Sequence, residues 1–239
     1  MASHAASSSS APLPSGTNSN NNSAASHGLS LPSNLPVPEN DGGTIHLVGH
    51  PLPACAPLRV IHPSSSSPSE CEEDGEGEVD LFMRSITHPE RDILLFVYPH
   101  TGKPNAPPGN GWDEIAGARG CTPELVGVRE GLTALRRERK GGNDVMIYGM
   151  SGDDQEWQRE VSGRLGLNFP LLSSHPASSH QFSKALDLPT FEHQGNTYLK
   201  RCTLLIREGQ VVRCDYPVFP PDAAWRRVVE QRWLDEEGQ

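Results

Sequence analysis

Six apolar residues, Ile93-Leu94-Leu95-Phe96-Val97-Tyr98, stop at Pro99 and lead into a Gly/Pro-rich loop that ends in Gly120-Cys121-Thr122-Pro123-Glu124. The pattern predicts a buried strand, a long loop and a helix start in succession. Leu125, Val128, Leu132 and Leu135 recur at helical spacing and extend the helix over residues 123–138. Thr122 is expected as its cap and Pro123 as its first residue, where a missing N–H costs nothing. Arg136, Arg137, Arg139 and Lys140 load the last turn, and Gly141-Gly142-Asn143 stops it. A thiol at such a junction meets unsatisfied backbone N–H groups and the positive end of the helix dipole. That setting favours the nucleophilic thiolate. The competing reading is a buried, inert cysteine, the commoner fate of a lone thiol.

Downstream, a second strand is expected over residues 145–149. A helix follows, capped within 151–154, with Trp157, Val161 and Leu165 on its apolar side. After the brief apolar stretch Phe169-Pro170-Leu171-Leu172, a short helix is expected over 179–186. Residues 198–206 and 210–216 read as two strands joined by the hairpin signal Arg207-Glu208-Gly209. A closing amphipathic helix over 222–234 carries Trp225, Val228, Val229 and Trp233. The order β-α-β-α, hairpin, α is that of a thioredoxin-like α/β fold, a central mixed sheet flanked by helices.

Composition confines this domain to residues 36–239. The first 35 residues are dominated by Ser, Asn, Ala and Pro, without a single Lys or Arg, and read as a disordered tail. They have neither the basic start and apolar core of a secretory signal nor the arginines of a mitochondrial presequence. No apolar run approaches the roughly 20 residues of a membrane span. Of the formal charge of −10, residues 1–80 carry −8, concentrated in an acidic, Ser-rich loop insertion over 63–80. No basic stripe exists for nucleic acid. Five cysteines (Cys55, Cys71, Cys121, Cys202, Cys214) without a CxxC pair fit a reducing compartment, so the cytoplasm is expected, with nuclear entry open. The histidines show no zinc spacing, and neither metal nor cofactor is expected.

Tyr98-Pro99-His100-Thr101-Gly102-Lys103-Pro104, Gly111-Trp112-Asp113-Glu114-Ile115 and Gly117-Ala118-Arg119-Gly120-Cys121-Thr122-Pro123 together resemble the peroxiredoxins of the AhpC/TSA superfamily. The likeness is to the bacterioferritin-comigratory (Q-type) group, in a branch with an extended active-site loop. Gly127 and Arg129 follow the cysteine as in that group. Phe169-Pro170-Leu171-Leu172-Ser173, Leu188-Pro189-Thr190-Phe191-Glu192 and Lys200-Arg201-Cys202-Thr203-Leu204-Leu205-Ile206 match its later motifs. The likeness covers about residues 36–235.

The resemblance implies a thiol peroxidase. Cys121 is then the peroxidatic thiolate, which hydrogen peroxide or an organic hydroperoxide oxidises to a sulfenic acid. Arg201 matches the active-site arginine that polarises the peroxide, Thr122 assists at the helix start, and Pro99 screens the thiolate from water. Arg129 is a candidate second basic group, equally readable as an exposed salt-bridging arginine. Two positions depart from the pattern. Ala118 stands where the family carries Thr or Ser, so Thr101 is a candidate substitute. Val126 stands where the Q-type resolving cysteine lies. Cys202 adjoins Arg201 on a strand, so alternation points it away from the site and into the core. Cys214 is also expected to pack, which leaves Cys71 as the least implausible internal resolver.

One-cysteine turnover is therefore expected, with thioredoxin, glutaredoxin or glutathione as reductant, in a monomer or homodimer. Two other readings stay open. One is a catalytically weak redox sensor or interaction protein that retains the fold. The other is a thioredoxin-type disulfide oxidoreductase, which Glu124 disfavours because it stands where CxxC needs its second thiol.

Overall fold

The computed structural model describes Met1 and residues 31–64, 77–102, 109–137, 145–175 and 181–235. Most of the expected tail, most of the acidic loop with Cys71, the helix stop at 141–143 and the expected helix start at 179 lie outside the described residues. The described residues form nine strands: β1 (Leu58–Ile61), β2 (Glu78–Val79), β3 (Ile93–Val97), β4 (Met146–Ser151), β5 (Leu171–Ser173), β6 (Thr190–His193), β7 (Asn196–Leu199), β8 (Cys202–Arg207) and β9 (Gln210–Asp215). Five α-helices accompany them: α1 (Leu81–Thr87), α2 (Cys121–Arg137), α3 (Gln155–Leu165), α4 (Gln181–Ala185) and α5 (Ala224–Glu230).

Seven strands pair in the order β2-β1-β5-β4-β3-β8-β9, parallel at β3–β4 and β4–β5 and antiparallel elsewhere, while β6 and β7 form a separate hairpin. This is the mixed sheet of a thioredoxin-like α/β fold. Alternation along β3 builds two cores. Ile93, Leu95 and Val97 face one cluster, shared with Cys202, Leu204 and Phe182 of α4. Leu94, Phe96 and Tyr98 face the other, shared with Cys121, Leu125 and Val128 of α2, Val161 of α3 and Val228 of α5. Helices therefore cover both faces. Gly131 lets α5 approach α2, since a Cβ there would lie 2.3 Å from Cδ2 of Trp225.

The single strand expected over 198–206 is two. β7 ends at Leu199 in the small sheet and β8 begins at Cys202 in the large one. Lys200 and Arg201 form the crossing, where Arg201 is free of ladder geometry. The closing helix is shorter than its pattern: a 3-10 turn (Pro221–Ala223) precedes α5, which ends at Glu230. β1, β2, α1 and β6 were not legible in advance. The end of the acidic stretch belongs to the sheet and the helix after it. Glu78 pairs with Arg59 at 3.1 Å across β1–β2, and Asp80 caps α1 by accepting from the Met83 N–H at 3.1 Å.

Candidate active site

Cys121 is the first residue of α2, not the residue before its cap. Gly120, at φ +106°, accepts the Glu124 N–H at 3.0 Å and occupies the turn into the helix. That conformation favours glycine, and a Cβ would lie 2.3 Å from Cγ of Pro221. Thr122 is thus the second helical residue and Pro123 the third, where its missing N–H still leaves nothing unpaired. Thr122 is buried beside the thiol, and Pro99 is buried at the end of β3.

The Cys121 thiol is 3% exposed and donates to the Ala118 carbonyl at 3.6 Å. Arg201 arrives from the β7–β8 crossing. Its Nη2 donates to Cys121 Sγ at 3.2 Å, to the Arg119 carbonyl at 3.2 Å and to the Gly117 carbonyl at 3.3 Å. Its Nη1 donates to Glu124 Oε2. Glu124 was not singled out as a site residue. Its signal was the Cys-x-x-Glu spacing, since residues three apart share a helix face. One buried guanidinium is therefore shared between a carboxylate and a sulfur. The Tyr98 phenol, wholly buried on the same face, is pushed well above its usual range by burial and then by the charge of Asp153.

The loop before Cys121 is held by packing. The Trp112 ring lies 4.9 Å from Tyr198, 5.5 Å from His193, 5.7 Å from Phe191 and 6.1 Å from His100, centroid to centroid. Arg119 pairs with Asp113 at 3.3 Å. This clamps the loop onto the β6–β7 hairpin and sets the carbonyls that receive Arg201.

Several candidates lie elsewhere. Thr101 does not take the place left by Ala118: its hydroxyl donates to Asp153 Oδ2 at 3.2 Å and accepts from Trp157 Nε1 at 2.8 Å. Asp153, which also pairs with His100, and Trp157 take up that hydroxyl. Arg129 does not join the site either. It donates to the Leu165 carbonyl at the end of α3 and to Glu130, tying α2 to α3. Cys202 and Cys214 belong to the opposite face of the sheet from Cys121, so neither is placed to resolve it. Contact with Cys214 and burial push the Cys202 thiol up, while contact with Cys202 draws Cys214 down. Cys71 lies outside the described residues. Among the described residues, no group of three His, Cys, Asp or Glu side chains is placed to hold a metal, and no helix is long and apolar enough to cross a membrane.

A family model described as Redoxin matches residues 72–229, a span containing Cys121, Glu124 and Arg201. Among solved structures, the chain is similar to peroxiredoxin Q of Xanthomonas campestris, at 21% identity and TM-score 0.51 over 76% of this chain and 94% of that one. It is also similar to a cysteine-to-serine mutant of PrxQ from Xylella fastidiosa, at 18% identity and TM-score 0.52 over 78% and 95%. At such identities the likeness is one of fold. No curated protein matches the chain. With more than half its length matched, around the very residues that build the site, the chain belongs to the Redoxin family.

Proposed function

We propose that the chain is a thiol-dependent peroxidase with Cys121 as its nucleophile. The carrying observation is the Arg201 Nη2 contact to Cys121 Sγ at 3.2 Å, at a helix start and out of bulk water. The thiolate sulfur attacks the terminal oxygen of a hydroperoxide; an S–O bond forms as the O–O bond breaks. The departing alkoxide or hydroxide takes a proton and leaves as alcohol or water, and Cys121 becomes a sulfenic acid. Arg201 stabilises the charge that develops on the two oxygens. Its Nη2 already serves three acceptors, so it can turn partly from sulfur to oxygen without losing its place. Pro99 and Thr122 keep the sulfur in a dry pocket.

Among the described residues Cys202 and Cys214 lie across the sheet, and Val126 replaces the helical resolver, which supports reduction of the sulfenic acid by an external thiol. Two such thiols return Cys121 to its reduced state and leave as a disulfide, with one water released. Thioredoxin, glutaredoxin and glutathione fit this role. Stopped-flow oxidation by hydrogen peroxide tests the assignment: wild type reacts far faster than free cysteine, and Cys121→Ser shows no fast phase. A wild-type rate no better than a free thiol's would overturn it.

Val126 at the helical resolver's position and the far-side placement of Cys202 and Cys214 also favour a second reading, a redox sensor that holds its sulfenic acid. Slow turnover with every reductant, together with a long-lived oxidised Cys121 in mass spectra, would select it over the peroxidase.

A further inference from the structure

β8 and β9 bring together two thiols that the chemistry of Cys121 does not use. Thr203 faces Asp215 and Leu204 faces Cys214 across the antiparallel ladder, so Cys202 and Cys214 are diagonal neighbours. Both lie on the face of the sheet opposite Cys121. Cys202 is wholly buried in the far core, and Cys214 is half-buried against it. Diagonal side chains on one face come within reach of each other, and these two thiols share a hydrogen bond. The chain has no CxxC motif; strand pairing makes the dithiol instead.

The two thiols are not equivalent. Their shared bond, followed by burial, pushes the Cys202 thiol up, so Cys202 keeps its proton and donates it to Cys214. The same bond draws Cys214 down against the effect of burial, and the Thr44 hydroxyl adds to it. The outer sulfur is thus the better nucleophile and the inner one its proton donor, a division of labour suited to thiol–disulfide exchange. Diagonal neighbours need a backbone shift to reach disulfide geometry, and β9 can supply it. β9 is the last strand of the seven, and the register shift between Leu205 and Ile206 puts a bulge at Val212, just before Cys214. Bulges bend and twist the strand that carries them. Residues 49–51 pair with β9 at Gln210 and Val211, which leaves the Cys214 end at the edge of the described sheet.

We propose that Cys214 and Cys202 form a second redox site, on the far face of the sheet from Cys121, whose substrate is a small disulfide such as oxidised glutathione. The Cys214 thiolate attacks one sulfur of that disulfide; a new S–S bond forms, the old one breaks, and one thiolate leaves. The Cys202 sulfur then attacks Cys214 Sγ, closing the Cys202–Cys214 disulfide and expelling the second thiolate. One leaving thiolate takes the proton of Cys202 and the other takes one from water. The protein gives up two electrons, and the small disulfide is reduced to two thiols. Cys202, out of water, reacts only once the mixed disulfide has formed beside it. A small disulfide is also what the external thiols of the proposed peroxidase cycle leave behind, so the site responds to the product of that turnover. The dithiol chemistry itself does not depend on the peroxidase reading.

The test incubates the full chain with oxidised glutathione, blocks the remaining free thiols with iodoacetamide and maps tryptic peptides by mass spectrometry. Trypsin cuts after Arg207 and Arg213, between the two cysteines, so the disulfide joins two peptides into one species lighter by two hydrogens. Wild type is expected to give this species, and Cys121→Ser to give as much of it. Cys202→Ser keeps a hydrogen-bond donor without a resolving sulfur. It is expected to lose the joined species completely and to stop at a glutathione adduct on Cys214. Cys214→Ser is expected to leave Cys202 reduced. Two blocked, unlinked thiols in treated wild type overturn the proposal, and so does a joined species that needs Cys121. An adduct on Cys202 in Cys214→Ser, as abundant as the one on Cys214 in Cys202→Ser, overturns the assignment of nucleophile and resolver. Should Cys202→Ser fail to fold, the wild-type map and the half-buried Cys214→Ser still decide the outcome. Absence of fast Cys121 oxidation in wild type defeats the proposed function alone, and the peptide map decides the dithiol either way.

Discussion

Glu124 and Arg201 form an ion pair whose side chains are 0% and 2% exposed, although 77 residues separate them in sequence. Two charges leave water at considerable cost, and only mutual pairing makes their burial tolerable. Removing the carboxylate strands the guanidinium, so Glu124→Ala is expected to lose about 3–5 kcal/mol in urea denaturation. It also frees Arg201 to shift away from Sγ, and a misplacement of about 1 Å costs on the order of 10²-fold in rate. Glu124→Gln keeps the shape and should recover part of the stability with little of the rate. A Glu124→Ala protein with wild-type stability and oxidation kinetics would leave the pair without a role.

Arg201 engages four acceptors at once: Glu124, the Gly117 and Arg119 carbonyls, and Cys121 Sγ. A planar fork can do this; a single ammonium cannot. Arg201→Lys preserves the charge and is expected to slow Cys121 oxidation by about 10²–10³-fold, the scale of losing one preorganised donor. Stopped-flow traces at several peroxide concentrations measure it. Retention of most of the rate would mean that charge alone suffices.

What could be read from the chain was local. The β3–loop–α2 sequence follows from apolar periodicity and holds in the structure. Arg201 and Cys202 do face opposite ways, Arg201 reaching the thiol while Cys202 packs into the far core, but Arg201 lies in the crossing before β8, so the cause is the change of sheet and not strand alternation. Glu124 was visible as a residue but not as a partner, because nothing local says which strand crossing will meet it. The break at Lys200-Arg201 was hidden because β-rich residues run straight through a change of sheet. The partners of Thr101 were hidden for a related reason: its hydroxyl is taken up by Asp153 and Trp157, more than 50 residues along the chain.

Trp112 is the pin of that loop, with four rings within 6.1 Å centroid to centroid. Truncation to alanine removes a largely buried aromatic, so Trp112→Ala is expected to cost about 3–5 kcal/mol. The loop that presents the Gly117 and Arg119 carbonyls then loosens, and Cys121 oxidation should slow as well. Trp112→Phe keeps a ring in the cluster and should restore much of both. Loss of stability with an unchanged oxidation rate would separate the loop from the chemistry.

Asp41 ties the segment before β1 to Lys200 and Tyr216, and pH tests that tie. Its side chain is 47% exposed, yet its carboxyl is held well below the usual carboxylate range, first by Lys200, then by the Tyr216 hydroxyl and the Gly43 N–H. A carboxyl lowered on folding stabilises the native state fully above its unfolded value of about 3.9, and the contribution fades as pH falls through the folded value. Burial and then Asp41 push Tyr216 up, so the phenol stays protonated across the same range. The pair is half in water, so its worth is discounted to about 0.2–1 kcal/mol. The difference in urea stability between wild type and Asp41→Asn is therefore expected to stay level from about pH 5 to 8 and to shrink below about pH 4. A stability difference that grows on acidification would show that Asp41 does not hold Lys200 and Tyr216 as an ionised carboxylate.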